Sequence, residues 1–249
     1  VPNNITHILT AAEAGAGHAA QGYARASGRT GVVFVTSGPG LTNAITPMAD
    51  ARADSTPMVF ISGQVVSSLI GTDAFQEVDA TGLTRAATKH NVLVRAPAEL
   101  LPALREAFAL AASGRPGPVH VDITKDVQMG MLAYTAPSPA DTARARRKAA
   151  QGPRIAASMP NEDAFRQAAE LMAQAEKPVF YVGGGVVTAG PRASDTLIKM
   201  LDETGFPATS TLMGLGAYPT THPAHLGMLG MHGTFEANNA MHDADVIIA

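Results

Sequence analysis

Short apolar runs alternate along residues 6–126 with stretches whose apolar residues recur at helical spacing. The runs typical of strands are residues 8–9, 31–36, 57–62 and 118–123. Helical spacing predicts helices over 13–26, near 42–53 and near 97–112. Continuous Val and Ile runs separated by helices are typical of a parallel sheet that helices cover on both faces. The pattern therefore predicts a doubly wound parallel-sheet α/β domain.

The alternation of apolar runs with helical spacing resumes after an aperiodic stretch rich in Ala, Pro, Ser and Arg. It predicts helices over 161–175 and 192–204, a strand at 178–182, a tight glycine loop at 183–185 and a last strand at 246–248. We therefore expect a first domain over 1–130, an interdomain linker over 131–160 and part of a second, Rossmann-like α/β domain over 161–249. Because the sequence starts at Val1 and ends in a strand pattern, we expect a fragment of a longer polypeptide.

Composition narrows the class of protein. The 249 residues are 46% hydrophobic, carry a net charge of −3 and include no Cys. A globular protein without a disulfide framework, a thiolate nucleophile or a nucleic-acid-binding charge pattern is expected. No apolar run approaches the roughly 20 residues of a membrane span, and no targeting peptide is visible. We expect a cytoplasmic protein with no membrane or nucleic-acid partner.

Candidate chemistry lies where the predicted strands end, because ligands gather at the carboxyl ends of parallel strands. Glu13 follows the first run and opens a helix, where the macrodipole favours a carboxylate. It is either a catalytic group or only a helix-start residue. The turn at 37–43, Ser-Gly-Pro-Gly-Leu-Thr-Asn, is neither a P-loop nor a dinucleotide fingerprint. It is either a ligand loop or an ordinary turn between a strand and a helix.

Other motifs are weaker. The glycines at 183–185 end a strand and suit a ligand packed on bare backbone, although a glycine run is weak evidence. The apolar loop at 226–233 either packs against another domain or lines a flat ligand. His222 and His225 flank Pro223 without a carboxylate, so no metal site is predicted. No Gly-x-Ser-x-Gly motif marks a serine nucleophile.

Taken in order, the motifs resemble a known family. The first motifs resemble the pyrimidine-binding domain of thiamine diphosphate-dependent enzymes. They are Glu13 with residues 15–18 and 22–25, then residues 36–43 and 63–65. Further motifs narrow the resemblance to the catalytic subunit of the acetolactate synthases, also called acetohydroxyacid synthases. They lie at 70–77, 88–91, 113–119, 125–127, 181–185, 210–216 and 226–233. The resemblance implies a thiamine diphosphate fold for the first domain.

The resemblance also implies an activity and roles for residues. Such enzymes condense pyruvate with a second 2-keto acid and release carbon dioxide, with the cofactor as electron sink. Glu13 matches the carboxylate that bonds N1′ of the aminopyrimidine, and Gln76 with Phe75 match residues that face the reacting centre. Lys125 matches a lysine near the substrate channel. The residues that match those bordering the aminopyrimidine ring are Pro39, Gly40 and Asn43.

Two further cofactors and an assembly follow from the resemblance. The second domain resembles the family's FAD-binding domain, and the flavin would be structural. The residues that match its flavin-contacting motifs are Arg115, Gly183, Gly184, Gly185, Thr211, Leu212, Gly230, Met231 and His232. The ligands of Mg²⁺ belong to a third domain absent from this sequence, so the fragment alone is expected to be inactive. A homodimer or tetramer and a small regulatory subunit are implied partners.

The sequence departs from the family in two places. Ala12 and Ala14 flank Glu13 where the family often has His and Gln, and residues 66–68 are Val-Ser-Ser where many members have Pro-Arg-Arg. The second change borders the substrate channel, so it bears on substrate preference. Pyruvate oxidase and sulfoacetaldehyde acetyltransferase share the scaffold, whereas glyoxylate carboligase typically lacks the glutamate. A non-catalytic flavin- or nucleotide-binding scaffold is the alternative from a different class.

Overall fold

The structure is a computed structural model that describes residues 5–134, 138 and 161–249. The chain divides into two compact units, Val1–Ala156 and Ala157–Ala249, and each is described by itself. Most of the linker predicted over 131–160 lies outside the described residues, so its boundaries stay a prediction.

The first unit alternates helices with strands, and the described elements follow one another in this order: α1 Glu13–Ser27, β1 Gly31–Val35, α2 Pro39–Asn43, α3 Ile45–Ala53, β2 Met58–Gln64, α4 Ala80–Thr84, β3 His90–Val94, α5 Pro97–Ala112, β4 Pro118–Thr124 and α6 Lys125–Met129. A single 3₁₀ turn, Ser67–Leu69, follows β2.

These strands form a parallel sheet in the order β1-β2-β4-β3. Side chains along β2 alternate between two cores, because successive residues of a strand point to opposite faces. Val59 belongs to the cluster that includes Ala107 of α5, whereas Phe60 belongs to the cluster that includes Met48 of α3. Helices pack on both faces of the sheet, which confirms the predicted doubly wound α/β architecture.

Two sequence-based expectations for this unit were wrong in detail, and some short elements were not predicted. Residues 8–9 form no strand: Ile8 and Leu9 are exposed, and β1 pairs only with β2 in the described sheet. A strand needs a neighbouring strand to pair with its backbone N–H and C=O groups, and the described sheet offers residues 8–9 none. The helix expected near 42–53 is two helices, of which the first begins earlier, at Pro39. The elements β3, α4 and α6 were not predicted.

One side of β1 is bare. Val33 is buried with the α1–α3 cluster, but Val32 and Phe34 point to the opposite face, where Phe34 is 65% exposed. In the described part of the chain, the α5 side of the sheet is therefore covered over β2 and β4 and open over β1.

The second unit is a smaller α/β sheet. Its elements are α7 Glu162–Gln174, β5 Pro178–Val182, α8 Gly184–Ala189, α9 Pro191–Thr204, β6 Ala208–Ser210, β7 His225–Met228, α10 Phe235–Asp243 and β8 Val246–Ile248. All its paired strands are parallel, in the order β7-β6-β5-β8. Gly205 follows α9 at φ 67, the left-handed conformation in which glycine commonly ends a helix. The glycines at 183–185 open a helix rather than forming only a loop.

The helices of the described residues are too short or too polar to cross a lipid bilayer.

Candidate active site

Glu13 is the first residue of α1, and its carboxylate meets a side chain from a different helix. Asn43, the last residue of α2, donates from Nδ2 to Glu13 Oε2 over 3.1 Å. The pKa of Glu13 is lowered, first by its own backbone N–H at the helix start and then by the Asn43 amide. Because both hydrogen bonds favour the charged form, the carboxylate is ionised at neutral pH.

A glycine turn lies beside this carboxylate. At Gly40, an added Cβ would lie 2.7 Å from Thr36 Cγ2 and 3.6 Å from Glu13 Oε1. Gly38 has φ 53 and is buried, and a Cβ there would lie 2.6 Å from the backbone oxygen of Gln76. Both positions therefore need glycine, and together they leave bare backbone next to Glu13. Pro39 sits between them as the exposed first residue of α2.

The loop after β2 brings Gln76 to the same place. The backbone of Gln76 packs against Gly38, and its φ of 58 is unusual for a residue with a side chain. Its neighbour Phe75 is 88% exposed. The structure thus brings four of the predicted residues together, from three separate stretches of chain: Glu13, Gly40, Asn43 and Gln76.

Lys125 opens α6, directly after β4, and its side chain is exposed. The next residue, Asp126, binds residues 66–68, the segment that departs from the family pattern. Asp126 accepts hydrogen bonds from Ser67 N at 3.0 Å and Ser67 Oγ at 2.8 Å. Hydrogen bonds from the Ser67 and Thr124 hydroxyls lower the pKa of Asp126 to about 2. Sequence reasoning missed this pair, because no short-range pattern links residues 59 positions apart.

A buried polar network crosses β2 and β4, and it too was missed. Ser62 Oγ donates to Asp122 Oδ1 at 2.5 Å and lies 2.7 Å from His120 Nε2. His120 Nδ1 lies 3.1 Å from Thr84 Oγ1, and Gln64 Nε2 donates to Asp122 Oδ2 at 3.0 Å. Burial lowers the pKa of His120 to about 4 and raises that of Asp122 to about 6.

This network reaches a cavity of about 370 Å³ at the carboxyl ends of the strands. Gln64 and Asp122 line it from the sheet, and Glu77, Val78 and Asp79 line it from the loop that follows Gln76. Gln64 Nε2 also donates to Val78 O at 3.1 Å. The buried network is therefore tied to the base of the loop that carries Gln76. Ser62 is itself 1% exposed, so it cannot act as a nucleophile on a substrate.

In the second unit, the predicted flavin residues lie at the carboxyl ends of two adjacent strands. Gly183 and Gly185 have open space where a Cβ would stand, whereas a Cβ at Gly184 would lie 3.0 Å from Met213 Cβ. Thr211 N donates to Val182 O at 2.9 Å, which holds the ends of β5 and β6 side by side. Leu212, the next residue, is largely exposed.

The remaining flavin candidates follow β7. Gly230 has φ 103, and Met231 and His232 after it are exposed. Asn238 of α10 holds this turn with two hydrogen bonds, from Gly230 N to Oδ1 at 2.8 Å and from Nδ2 to Gly230 O at 3.0 Å. Sequence reasoning missed Asn238, although an Asn side chain carries both the acceptor and the donor that such a turn needs.

Arg115, the last of the predicted flavin residues, belongs to the first unit. Its guanidinium donates to Ser55 Oγ at 2.7 Å and to Ala53 O at 2.9 Å, at the end of α3. Among the described residues, no three His, Asp or Glu side chains are grouped so as to hold a metal ion.

Comparison with known proteins gives two family matches. Residues 1–83 match the model of the thiamine pyrophosphate enzyme N-terminal TPP binding domain, and residues 165–249 match that of the thiamine pyrophosphate enzyme central domain. Thiamine pyrophosphate and thiamine diphosphate are the same compound.

Similar curated proteins agree with these matches. The chain is 49% identical to the acetolactate synthase large subunit of Corynebacterium glutamicum over 245 residues, and 47% identical to the acetolactate synthase isozyme 3 large subunit of Escherichia coli over 247 residues. It is 48% identical to the mitochondrial acetolactate synthase catalytic subunit of Saccharomyces cerevisiae over 253 residues. These alignments cover 98–99% of this chain but only 36–41% of the relatives' own length.

Proposed function

Because the chain belongs to the thiamine pyrophosphate enzymes, we propose that it forms part of an acetolactate synthase, which condenses pyruvate with a second 2-keto acid and releases carbon dioxide. The observation that carries the proposal is the placement of an ionised Glu13 beside the bare turn at Gly40, with Gln76 alongside. The relatives named as acetolactate synthases support the choice of reaction.

The residues fit the aminopyrimidine half of thiamine diphosphate. A flat ring needs an open backbone surface, and a Cβ at Gly40 would intrude on the space beside Glu13. When bound, the cofactor supplies the nucleophilic carbon and the electron sink for decarboxylation. Glu13 would accept a hydrogen bond from N1′ and hold a proton there, and Asn43, which donates to Glu13 Oε2, would help orient the carboxylate for this role.

The other residues act on the substrate side. Gln76 would donate its amide N–H to a substrate oxygen that gains negative charge, and Phe75 would exclude water next to it. The exposed ammonium of Lys125 would attract anionic 2-keto acids toward this edge of the sheet. The hydrogen bond from Ser67 to Asp126 holds residues 66–68 against the helix that begins at Lys125.

FAD and Mg²⁺ are the further cofactors of the proposed enzyme. The open space at Gly183 and Gly185, with the exposed turn at Gly230, suits a flavin that packs on backbone. The described residues offer no ligand set for Mg²⁺, which enters the proposal through the family resemblance alone. A homodimer or tetramer and a small regulatory subunit remain proposals based on the family resemblance, and a cytoplasmic location remains a proposal drawn from the sequence.

The test is an assay of the full-length protein with pyruvate, thiamine diphosphate, Mg²⁺ and FAD. Acetolactate should form, and it should be measured directly rather than through the loss of pyruvate. Acetaldehyde, acetyl phosphate or no product would refute the proposed acetolactate synthase activity. Repeating the assay with added 2-ketobutyrate would show which second substrate is preferred.

One substitution tests the bare turn. Gly40→Ala in the full-length protein should raise the KM for thiamine diphosphate by about tenfold, an effect of the size expected for a crowded contact of about 1–2 kcal/mol. Part of that effect comes from Thr36 Cγ2, the nearest atom to the added methyl group. Adding Thr36→Ser removes that atom and should recover part of the affinity. An unchanged KM for Gly40→Ala would mean that the ring does not pack on this turn.

A further inference from the structure

The carboxylate of Glu77 folds back over the loop that carries Phe75 and Gln76. Oε1 accepts the backbone N–H of Gly71, and Oε2 accepts those of Thr72 at 3.2 Å and Ala74 at 3.0 Å. These hydrogen bonds lower the pKa of Glu77, with the one from Gly71 contributing most, so the group is ionised at neutral pH. One charged side chain therefore gathers three backbone donors of a single loop.

The loop needs such a restraint, because its backbone is unusual at three positions. Gly71 has φ 83, Asp73 has φ 56 and Gln76 has φ 58. Residues with side chains pay a conformational cost in this region and keep it only when their surroundings fix it. The contacts of Glu77 span the first two of these positions, and its own backbone N–H closes a turn onto Ala74 O at 2.9 Å.

The loop is also fixed at both of its ends. Before it, Ser67 is bound by Asp126, and after it, Val78 O accepts the side-chain amide of Gln64. Between these anchors, the loop backbone reaches the glycine turn beside Glu13 through the contact of Gln76 with Gly38. Glu77 is the only carboxylate among residues 70–77 whose side chain has these backbone contacts in the described structure.

We propose that Glu77 is a positioning residue for Gln76: its carboxylate clasps the backbone at residues 71–74 and so holds the Gln76 amide at the reacting centre. The role of Gln76 itself rests on the proposed function. The clasp around residues 71–74 is a property of the loop that is independent of the reaction.

The experiment compares full-length Glu77→Gln with the wild type. An uncharged amide keeps one acceptor oxygen but turns an NH₂ group toward backbone donors, so part of the clasp is lost. We expect kcat for acetolactate formation to fall about fivefold, because a small displacement of a reacting group is costly. Glu77→Asp keeps the charge but shortens the reach, and it should lower kcat as well.

A double-mutant cycle separates positioning from a general loss of structure. In a Gln76→Ala background, Glu77→Gln should lower kcat by less than about twofold, because two residues that act through one contact are not additive. Glu99→Gln is the matched control, since Glu99 also accepts two backbone N–H groups, from Arg95 at 3.0 Å and Ala96 at 3.2 Å, but at the start of α5. It should leave kcat unchanged.

Hydrogen–deuterium exchange of peptides covering residues 70–79 gives a readout that does not need activity. Exchange should be faster in Glu77→Gln and unchanged in Glu99→Gln. If the wild type makes no acetolactate, the proposed function fails while faster exchange still supports the clasp. Unchanged exchange at 70–79, or an equal loss of kcat in both the wild-type and Gln76→Ala backgrounds, would overturn the proposal.

Discussion

Replacing Glu13 with Gln in the full-length protein is expected to lower the turnover of acetolactate by at least about tenfold at saturating thiamine diphosphate. The amide has almost the same shape and still lies within reach of Asn43, so the fold and the binding of the ring should survive. It cannot accept and hold a proton as the carboxylate does. The measurement is kcat at several cofactor concentrations, which separates catalysis from binding.

A matched control is available in the second unit. Glu162 occupies the same place in its helix, the first turn of α7, and is exposed. Glu162→Gln removes the same favourable interaction with a helix dipole. It should leave kcat unchanged. If Glu13→Gln had as little effect as the control, Glu13 would be only a helix-start residue, which is the alternative that the sequence left open.

Replacing Asp122 with Asn is expected to make the first unit lose stability in mild acid. His120 has a folded pKa of about 4 against 6.5 for the free side chain, so its unfolded form binds a proton first as the pH falls. The contribution of His120 to the free energy of unfolding is therefore fully present above pH 6.5. About 3 kcal/mol of it is lost as the pH falls to 4.

The titration of Asp122 changes the stability of the wild type with pH in the opposite direction. Its folded pKa of about 6 exceeds the usual 3.8, so the folded form binds a proton first, and stability rises as the pH falls from 6 toward 3.8. The two contributions nearly cancel in the wild type. The amide introduced by Asp122→Asn is uncharged, and it can donate to Ser62 and accept from Gln64 as a protonated Asp would.

Native-state hydrogen exchange of peptides from β2 and β4, corrected for intrinsic rates, measures this effect between about pH 7.5 and 4.5. The free energy of unfolding of the wild type should change little over that range, whereas that of Asp122→Asn should fall by about 2 to 3 kcal/mol toward pH 4.5. A His120→Gln variant should show the reverse trend, with stability that rises in acid. Parallel pH profiles for the wild type and Asp122→Asn would contradict the opposing titrations.

Sequence patterns predicted the elements that have a strong local signal. The continuous apolar runs of β1, β2 and β4 all form parallel strands, of which β2 and β4 are buried, and Glu13 does open a helix. The strand His90–Val94 was missed because it lies at the sheet edge and begins with the polar pair His90 and Asn91. Edge strands need not carry a continuous apolar run, so the pattern gave no sign of it.

The contacts within the site were less predictable for a physical reason. Ser62 and Asp122 meet because β2 and β4 pair in a register that places them opposite each other. Strand register depends on packing across the whole sheet, and no spacing along the chain encodes it. The pairs Asn43 with Glu13 and Asp126 with Ser67 likewise come from distant segments. Family resemblance identified Glu13 and Asn43 individually, but their hydrogen bond became visible only in three dimensions.

The bare side of β1 has a practical consequence for handling the protein. Among the described residues β1 has no strand on its outer side, and an edge strand of this kind with exposed Val32 and Phe34 can pair with a second copy of itself. Ile8 and Leu9, just before α1, are further exposed apolar side chains of the first unit. Material limited to residues 1–249 would be prone to aggregate on concentration. Light scattering should therefore accompany any biophysical measurement on this stretch of chain alone.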